Sequence, residues 1–160
     1  MSKFPFFKPH VSLRYEQLNS VMLFETLTPR EFSTVDAMLH ERDFVKDELI
    51  FDVGEDSQAI YIVLSGTVSI SRRVNGVEEE IVRLQPGGFF GELALLDNAP
   101  RSAVARAATD CKLVVMFRAD LATLADTHVV LSSKILLQMA RHLAHIVRQT
   151  AMRTGATLHV

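Results

Sequence analysis

The sequence predicts an α+β chain in which closely spaced antiparallel strands form a small barrel or roll, with helices before them and one long helix after. Three observations carry this. The middle of the chain breaks into short β-rich runs punctuated by turn signals, of which Asn75-Gly76 is the strongest. The stretch from about Val129 to Arg153 contains neither glycine nor proline and is long enough for a single extended helix. Ahead of the strands, Thr28-Pro29-Arg30-Glu31 supplies an N-cap, a proline at the first helical position and a glutamate placed to complete a capping box.

Each element follows in order. Residues 1–12 open with MSKFPFFKPH, whose phenylalanines are interrupted by two prolines, and are expected to form a flexible tail. Residues 13–160 are expected to make one domain. In VSLRYEQLNSVMLFETL, Leu13, Leu18, Met22 and Leu23 recur at near-helical intervals, and a second helix is predicted from Pro29 to Leu39. Strand runs follow: ELIF before DVGED, AIYIVL before Ser65-Gly66, and TVSISRRV before Asn75-Gly76. VEEEIVRL should pair back across that turn, because a two-residue type I′ turn needs positive φ at both positions and Asn-Gly tolerates it best. Pro86-Gly87-Gly88 breaks the pattern. CKLVVMF makes a last strand with Cys111, Leu113, Val115 and Phe117 on one face, and Arg118 to Ala125 fits a short helix before the long one at about 129–153.

Composition excludes several classes of function. A length of 160 residues suits one hydrophobic core. The formal net charge of -2 leaves no basic footprint of the kind that displaces counterions from DNA or RNA. No segment approaches the ~18 consecutive apolar residues of a membrane span, and no signal peptide is evident, so a soluble cytoplasmic protein is expected. The single cysteine, Cys111, lies in an apolar run and reads as a small core residue. His142 and His145, three apart on a helix, are too few ligands for a metal or haem even with Cys111. Glu78-Glu79-Glu80 reads as a solvated edge, and Asp97, Asp110, Asp120 and Asp126 as turn or cap residues. No Ser/His/Asp spacing suggests a catalytic triad, and no enzyme is expected.

One stretch asks for chemistry. FGELALLDNAPRSAVARA, from Phe90 to Ala107, places Glu92 after a glycine and Arg101 among small and apolar side chains. A brief helical turn at Gly91 to Leu95, the loop DNAP and a strand from about Arg101 would interrupt the roll here. A turn that begins at a glycine offers backbone N–H groups to an anion, and a buried arginine opposite adds charge-assisted hydrogen bonds, which together suit a phosphate. Beside a phosphate an ionised Glu92 would repel unless it faced a donor such as a sugar hydroxyl. The plainer reading, a structural ion pair between Glu92 and Arg101, does not explain the Gly-Glu turn.

Phe90-Gly91-Glu92-Leu93-Ala94-Leu95-Leu96, three intervening residues and then Pro100-Arg101-Ser102-Ala103 resemble the phosphate-binding cassette of cyclic-nucleotide-binding domains, the modules of catabolite activators and protein kinase A regulatory subunits. The flanks are similar too: Leu23-Phe24, the run Ile60 to Gly66, the Asn75-Gly76 hairpin and Pro86-Gly87-Gly88, so the resemblance covers about Met22 to Arg153. It implies a jelly-roll-like β-roll of about eight strands. It also implies that Glu92 accepts from the ribose 2′-hydroxyl, that Arg101 pairs with the exocyclic phosphate oxygens, and that Gly91, Leu93, Ala94, Ser102 and Ala103 complete the cradle. The implied ligand is cyclic AMP, with cyclic GMP the alternative because Ser102 carries a hydroxyl. The implied role is a ligand-controlled switch whose later helices are read by a downstream protein partner; the competing role is an interaction module of the same fold with an empty pocket or another ligand.

Three departures from the family pattern stand out. Lys46-Asp47-Glu48 has aspartate where a glycine is usual, and aspartate tolerates positive φ better than most residues. Where transcription activators of the family present hydroxyls to adenine, an ungapped reading places Ile146 and Val147 as the base contacts, which implies an apolar cap with modest discrimination. Those activators continue into a helix-turn-helix domain and this sequence stops at Val160, so no direct nucleic-acid binding is expected. The long helix also carries two apolar lines. Leu136, Met139, Leu143, Ile146 and Thr150 follow the rhythm of a coiled-coil seam and are expected to meet a second copy in a parallel homodimer, while Leu137, Ala140, Ala144, Val147 and Ala151 face the roll.

Overall fold

The computed structural model describes residues 13–155; the expected tail at 1–12 and residues 156–160 lie outside the described residues. Helix α1 (Leu13–Leu18) is shorter than its apolar spacing predicts. After it the chain runs through tight turns in which the Val21 N–H donates to the Leu18 carbonyl and the Phe24 N–H to the Val21 carbonyl. The reason is that Leu18, Val21, Leu23, Phe24 and Leu27 are all buried, which no single helical stripe would achieve. Helix α2 (Pro29–Asp36) has the predicted capping box, with Glu31 N–H donating to Thr28 Oγ1 and Thr28 N–H to Glu31 Oε2. It ends before Leu39 because its last turn tightens: the Met38 and Leu39 N–H groups donate to carbonyls three residues back.

Eight antiparallel strands follow. They are β1 (His40–Phe44), β2 (Leu49–Phe51), β3 (Ala59–Ser65), β4 (Val68–Val74), β5 (Val77–Leu84), β6 (Phe89–Phe90), β7 (Val104–Ala107) and β8 (Cys111–Phe117). One sheet has the order β1-β8-β3-β6 and the other β2-β7-β4-β5, the two walls of a jelly-roll-like β-roll. The β4–β5 hairpin turns at Asn75-Gly76 with φ of 50° and 82°, the positive values that a type I′ turn requires. Asp47, in the position usually held by glycine, has φ 70°. Strands β1 and β6 carry no sequence signal of their own, β1 because HERDF is mostly exposed and charged and β6 because it is two residues long.

Strand β8 is buried on both faces. Cys111 and Leu113 pack inside the roll with Phe51, Val63, Val68, Phe90, Ala105 and Ala107. Val114 and Met116 turn the other way, onto a second core shared with the helices. That second core receives Leu121 and Leu124 from α4 (Arg118–Thr127) and Leu131, Ile135 and Met139 from α5 (Val129–Thr154). This packing sets the rotational phase of α5 and departs from the predicted use of its two apolar lines, although Leu136 of the expected seam is exposed. Met139 is buried in the chain's own core, while Leu137, Ala140, Ala144 and Val147 are exposed. The cause is the row Leu131–Ile135–Met139, which leaves the second line on the far side of the helix.

Candidate functional site

Between β6 and β7 the chain makes helix α3 (Glu92–Asp97), flanked by Gly91 at φ 89° and Asn98 at φ 62°. Gly91 is required twice over: its φ is left-handed, and a Cβ there would lie 2.5 Å from Arg101 Nη1. Strand β7 begins at Val104, later than the sequence suggests, because the backbone of Arg101 bonds to the loop between β2 and β3. Its N–H donates to the Glu55 carbonyl, and its carbonyl accepts from the Gly54 N–H, each at 2.9 Å. The Arg101 side chain therefore points from a loop into the mouth of the roll.

There it is nearly buried, at 5% exposure, and lies over the Phe51 ring at 4.1 Å. Nη2 donates to the Ala59 carbonyl at 2.7 Å and Nη1 to the Gly91 carbonyl at 3.1 Å, while Nε is buried with no hydrogen-bond partner. Among the described residues no carboxylate reaches ion-pair distance of this guanidinium. Burial pulls its pKa down from the usual value, with Tyr61 and Glu55 opposing. A buried cation without a paired anion is costly, and an anionic ligand would relieve that cost. Glu92, 7% exposed, is not its partner; Glu92 Oε1 instead faces Nε2 of His142 on α5 at 3.3 Å. The simple Glu92–Arg101 ion pair is thus absent.

Both residues line a cavity of about 450 Å³ together with Gly91, Leu93, Ser102 and Ala103. Ala94 lies within α3, and its side chain is outside what the structure describes. The floor is apolar, from Phe51, Ile70, Leu84 and Phe90, and α5 closes one side. Such a pocket, apolar with a few convergent polar groups, suits a small ligand carrying one charged end.

The profile of the family described as cyclic nucleotide-binding domain matches residues 41–128, a span that holds this whole cassette. The chain belongs to the cyclic nucleotide-binding domain family. It is 38% identical over 99 residues to the cyclic AMP receptor protein of Thermus thermophilus, covering 61% of this chain and 46% of the relative. It is 37% identical over 95 residues to a cAMP-dependent protein kinase regulatory subunit of Mycosarcoma maydis, covering 59% of this chain and 18% of that one. The chain thus spans less than half the length of either relative. A crystal structure of a cyclic nucleotide-binding domain from Methylobacillus flagellatus KT superposes with a TM-score of 0.80 over 91% of this chain and 85% of that one, at 20% identity, which shows the shared fold.

Within this cyclic nucleotide-binding domain, α5 contributes His142, Ile146, Gln149, Thr150 and Arg153 to the cavity. Ile146 is where the sequence puts a base contact. Val147, half exposed, is not among the lining residues. Gln149 and Arg153 escaped the sequence reading, which assigned Thr150 to the coiled-coil seam and used His142 only to dismiss a metal. The signal was nonetheless present: residues 142, 146, 149 and 153 recur at intervals of four, three and four on one helical face. What could not be read was which face the roll would claim.

Proposed function

We propose that this chain is a cyclic-AMP-binding regulatory domain that acts as a ligand-controlled switch and not as an enzyme. The observation that carries the reading is the buried guanidinium of Arg101, which no carboxylate among the described residues pairs, set on the same cavity as the buried carboxylate of Glu92. Arg101 takes the exocyclic oxygens of a cyclic phosphate by charge-assisted hydrogen bonds, and Glu92 accepts from the ribose 2′-hydroxyl. Gly91, Leu93, Ser102 and Ala103 shape the wall between them, and backbone N–H groups near Ala94 complete the cradle.

The base lies towards α5. Ile146 covers it, and the Gln149 amide supplies a donor and an acceptor that match the exocyclic amine and ring nitrogen of adenine. This polar readout supports cyclic AMP over cyclic GMP more firmly than an apolar cap alone. Ligand in the cavity changes how α5 sits on the roll, and a partner protein in the cytoplasm reads that change. The exposed line Leu137, Ala140, Ala144 and Val147, spaced by three, four and three, supports a homodimer along α5. Calorimetry with cyclic AMP, cyclic GMP and a cyclic dinucleotide tests the reading: cyclic AMP binds with one site per chain and the tightest Kd, and heat from none of the three would refute it.

A further inference from the structure

The carboxylate assigned to the ribose has a partner already. His142 brings Nε2 to 3.3 Å from Glu92 Oε1, and its ring lies against Phe89 with centroids 4.5 Å apart. The Glu92 side chain is 9% exposed and that of His142 25%. Among the described residues no lysine or arginine reaches ion-pair distance of Glu92, so this imidazole is the side chain that holds a buried carboxylate. Both side chains line the cavity, and a carboxylate accepts at two oxygens, so His142 and a ribose hydroxyl can engage Glu92 together.

Glu92 of α3 and the Phe89 ring of β6 are the groups packed against the imidazole. We propose that His142 is a positioning residue of the nucleotide site, holding the ribose-binding carboxylate to α5. The proposal rests on the nucleotide reading of Glu92 and Arg101.

Calorimetry with cyclic AMP tests this: His142→Ala weakens binding about tenfold, while His142→Gln, which keeps an N–H donor, restores most of the affinity. The His142→Ala loss shrinks for 2′-deoxy cyclic AMP. A His142→Ala protein that binds cyclic AMP as the parent does, or one whose loss is the same for the 2′-deoxy analogue, overturns the proposal. If the parent binds no cyclic nucleotide, the nucleotide reading fails by itself. The His142–Glu92 link is then decided by urea unfolding of the parent, His142→Ala, Glu92→Gln and the double variant at about pH 6. Non-additive losses support the link and additive losses refute it.

Discussion

The two walls of the cavity are written in the sequence in different ways. The cassette wall is contiguous, from Gly91 to Ala103, and its shape comes largely from local backbone: a left-handed glycine and a short helix, with an arginine anchored to the Gly91 carbonyl nearby and to the Ala59 carbonyl of β3. The α5 wall is scattered over His142, Ile146, Gln149, Thr150 and Arg153, and its shape comes from packing elsewhere, where Leu131, Ile135 and Met139 fix the rotation of the helix. Chemistry that depends on local conformation travels with a motif. Chemistry that depends on the phase of a distant helix does not, and this is where one family fold has room for different ligands and responses.

The sharpest way to break this comparison is at the cassette. Arg101→Leu should cost about 3 kcal/mol or more of cyclic AMP binding, on the order of a hundredfold, because the phosphate is then desolvated and unpaired. The roll persists, since Arg101 makes its contacts at the mouth and the core clusters exclude it. Calorimetry beside circular dichroism gives both readings. Unchanged affinity in a folded protein would remove Arg101 from the site.

The same contrast explains what was legible from the sequence. The capping box of α2, the Asn75-Gly76 turn and positive φ at Asp47 were readable because each is decided within a few residues. That Glu92 and Arg101 share one cavity was readable because both lie in one contiguous stretch, although Arg101 is anchored by Gly54, Glu55 and Ala59 from elsewhere in the chain. Strand β1 was not, since HERDF forms a strand only by pairing with β8. The face of α5 was misjudged for a related cause: two apolar lines of similar strength run along the helix, and the choice between them is made by a core assembled from α1, α2, α4 and three sheet strands. Sequence periodicity reports that a helix has faces, and tertiary contacts decide which one is covered.

Assembly sharpens the comparison from the outer side of α5. If Leu137, Ala140, Ala144 and Val147 form the dimer seam, Ala144→Lys places a charge between two close helices and shifts dimer dissociation by more than about tenfold. Leu143→Lys, half-buried and off that line, perturbs the monomer more than the dimer. Sedimentation at micromolar concentration, with and without cyclic AMP, distinguishes them; a parent that stays monomeric in both conditions would reject the seam.

A smaller effect is expected from the inner side. Gln149→Ala removes one amide from the cavity and should weaken cyclic AMP a few-fold, while cyclic GMP changes less, so that selectivity narrows. Competition titration of the two nucleotides measures the ratio. Equal weakening of both would mean that Gln149 packs against the base without reading it.

The smallest effect lies far from the ligand, at the tie between α2 and the α5 wall. Lys134 Nζ on α5 donates to Glu31 at 3.0 Å and 2.8 Å, and Glu31 also closes the capping box. The Lys134 hydrogen bond, followed by that from the Thr28 N–H, holds the Glu31 carboxyl below its ordinary pKa. A carboxyl with a lowered folded pKa adds stability above its unfolded value, about 4.3, and that stability is lost as pH falls through the folded value. Glu31→Gln keeps an acceptor for the Thr28 N–H and loses the ionic part. At neutral pH it should therefore unfold more easily by less than about 1 kcal/mol, as a partly exposed pair allows. The gap to the parent should close below about pH 4. Urea unfolding at both pH values tests this, and a gap independent of pH would show that packing of α5, and not this charge, holds the far wall in place.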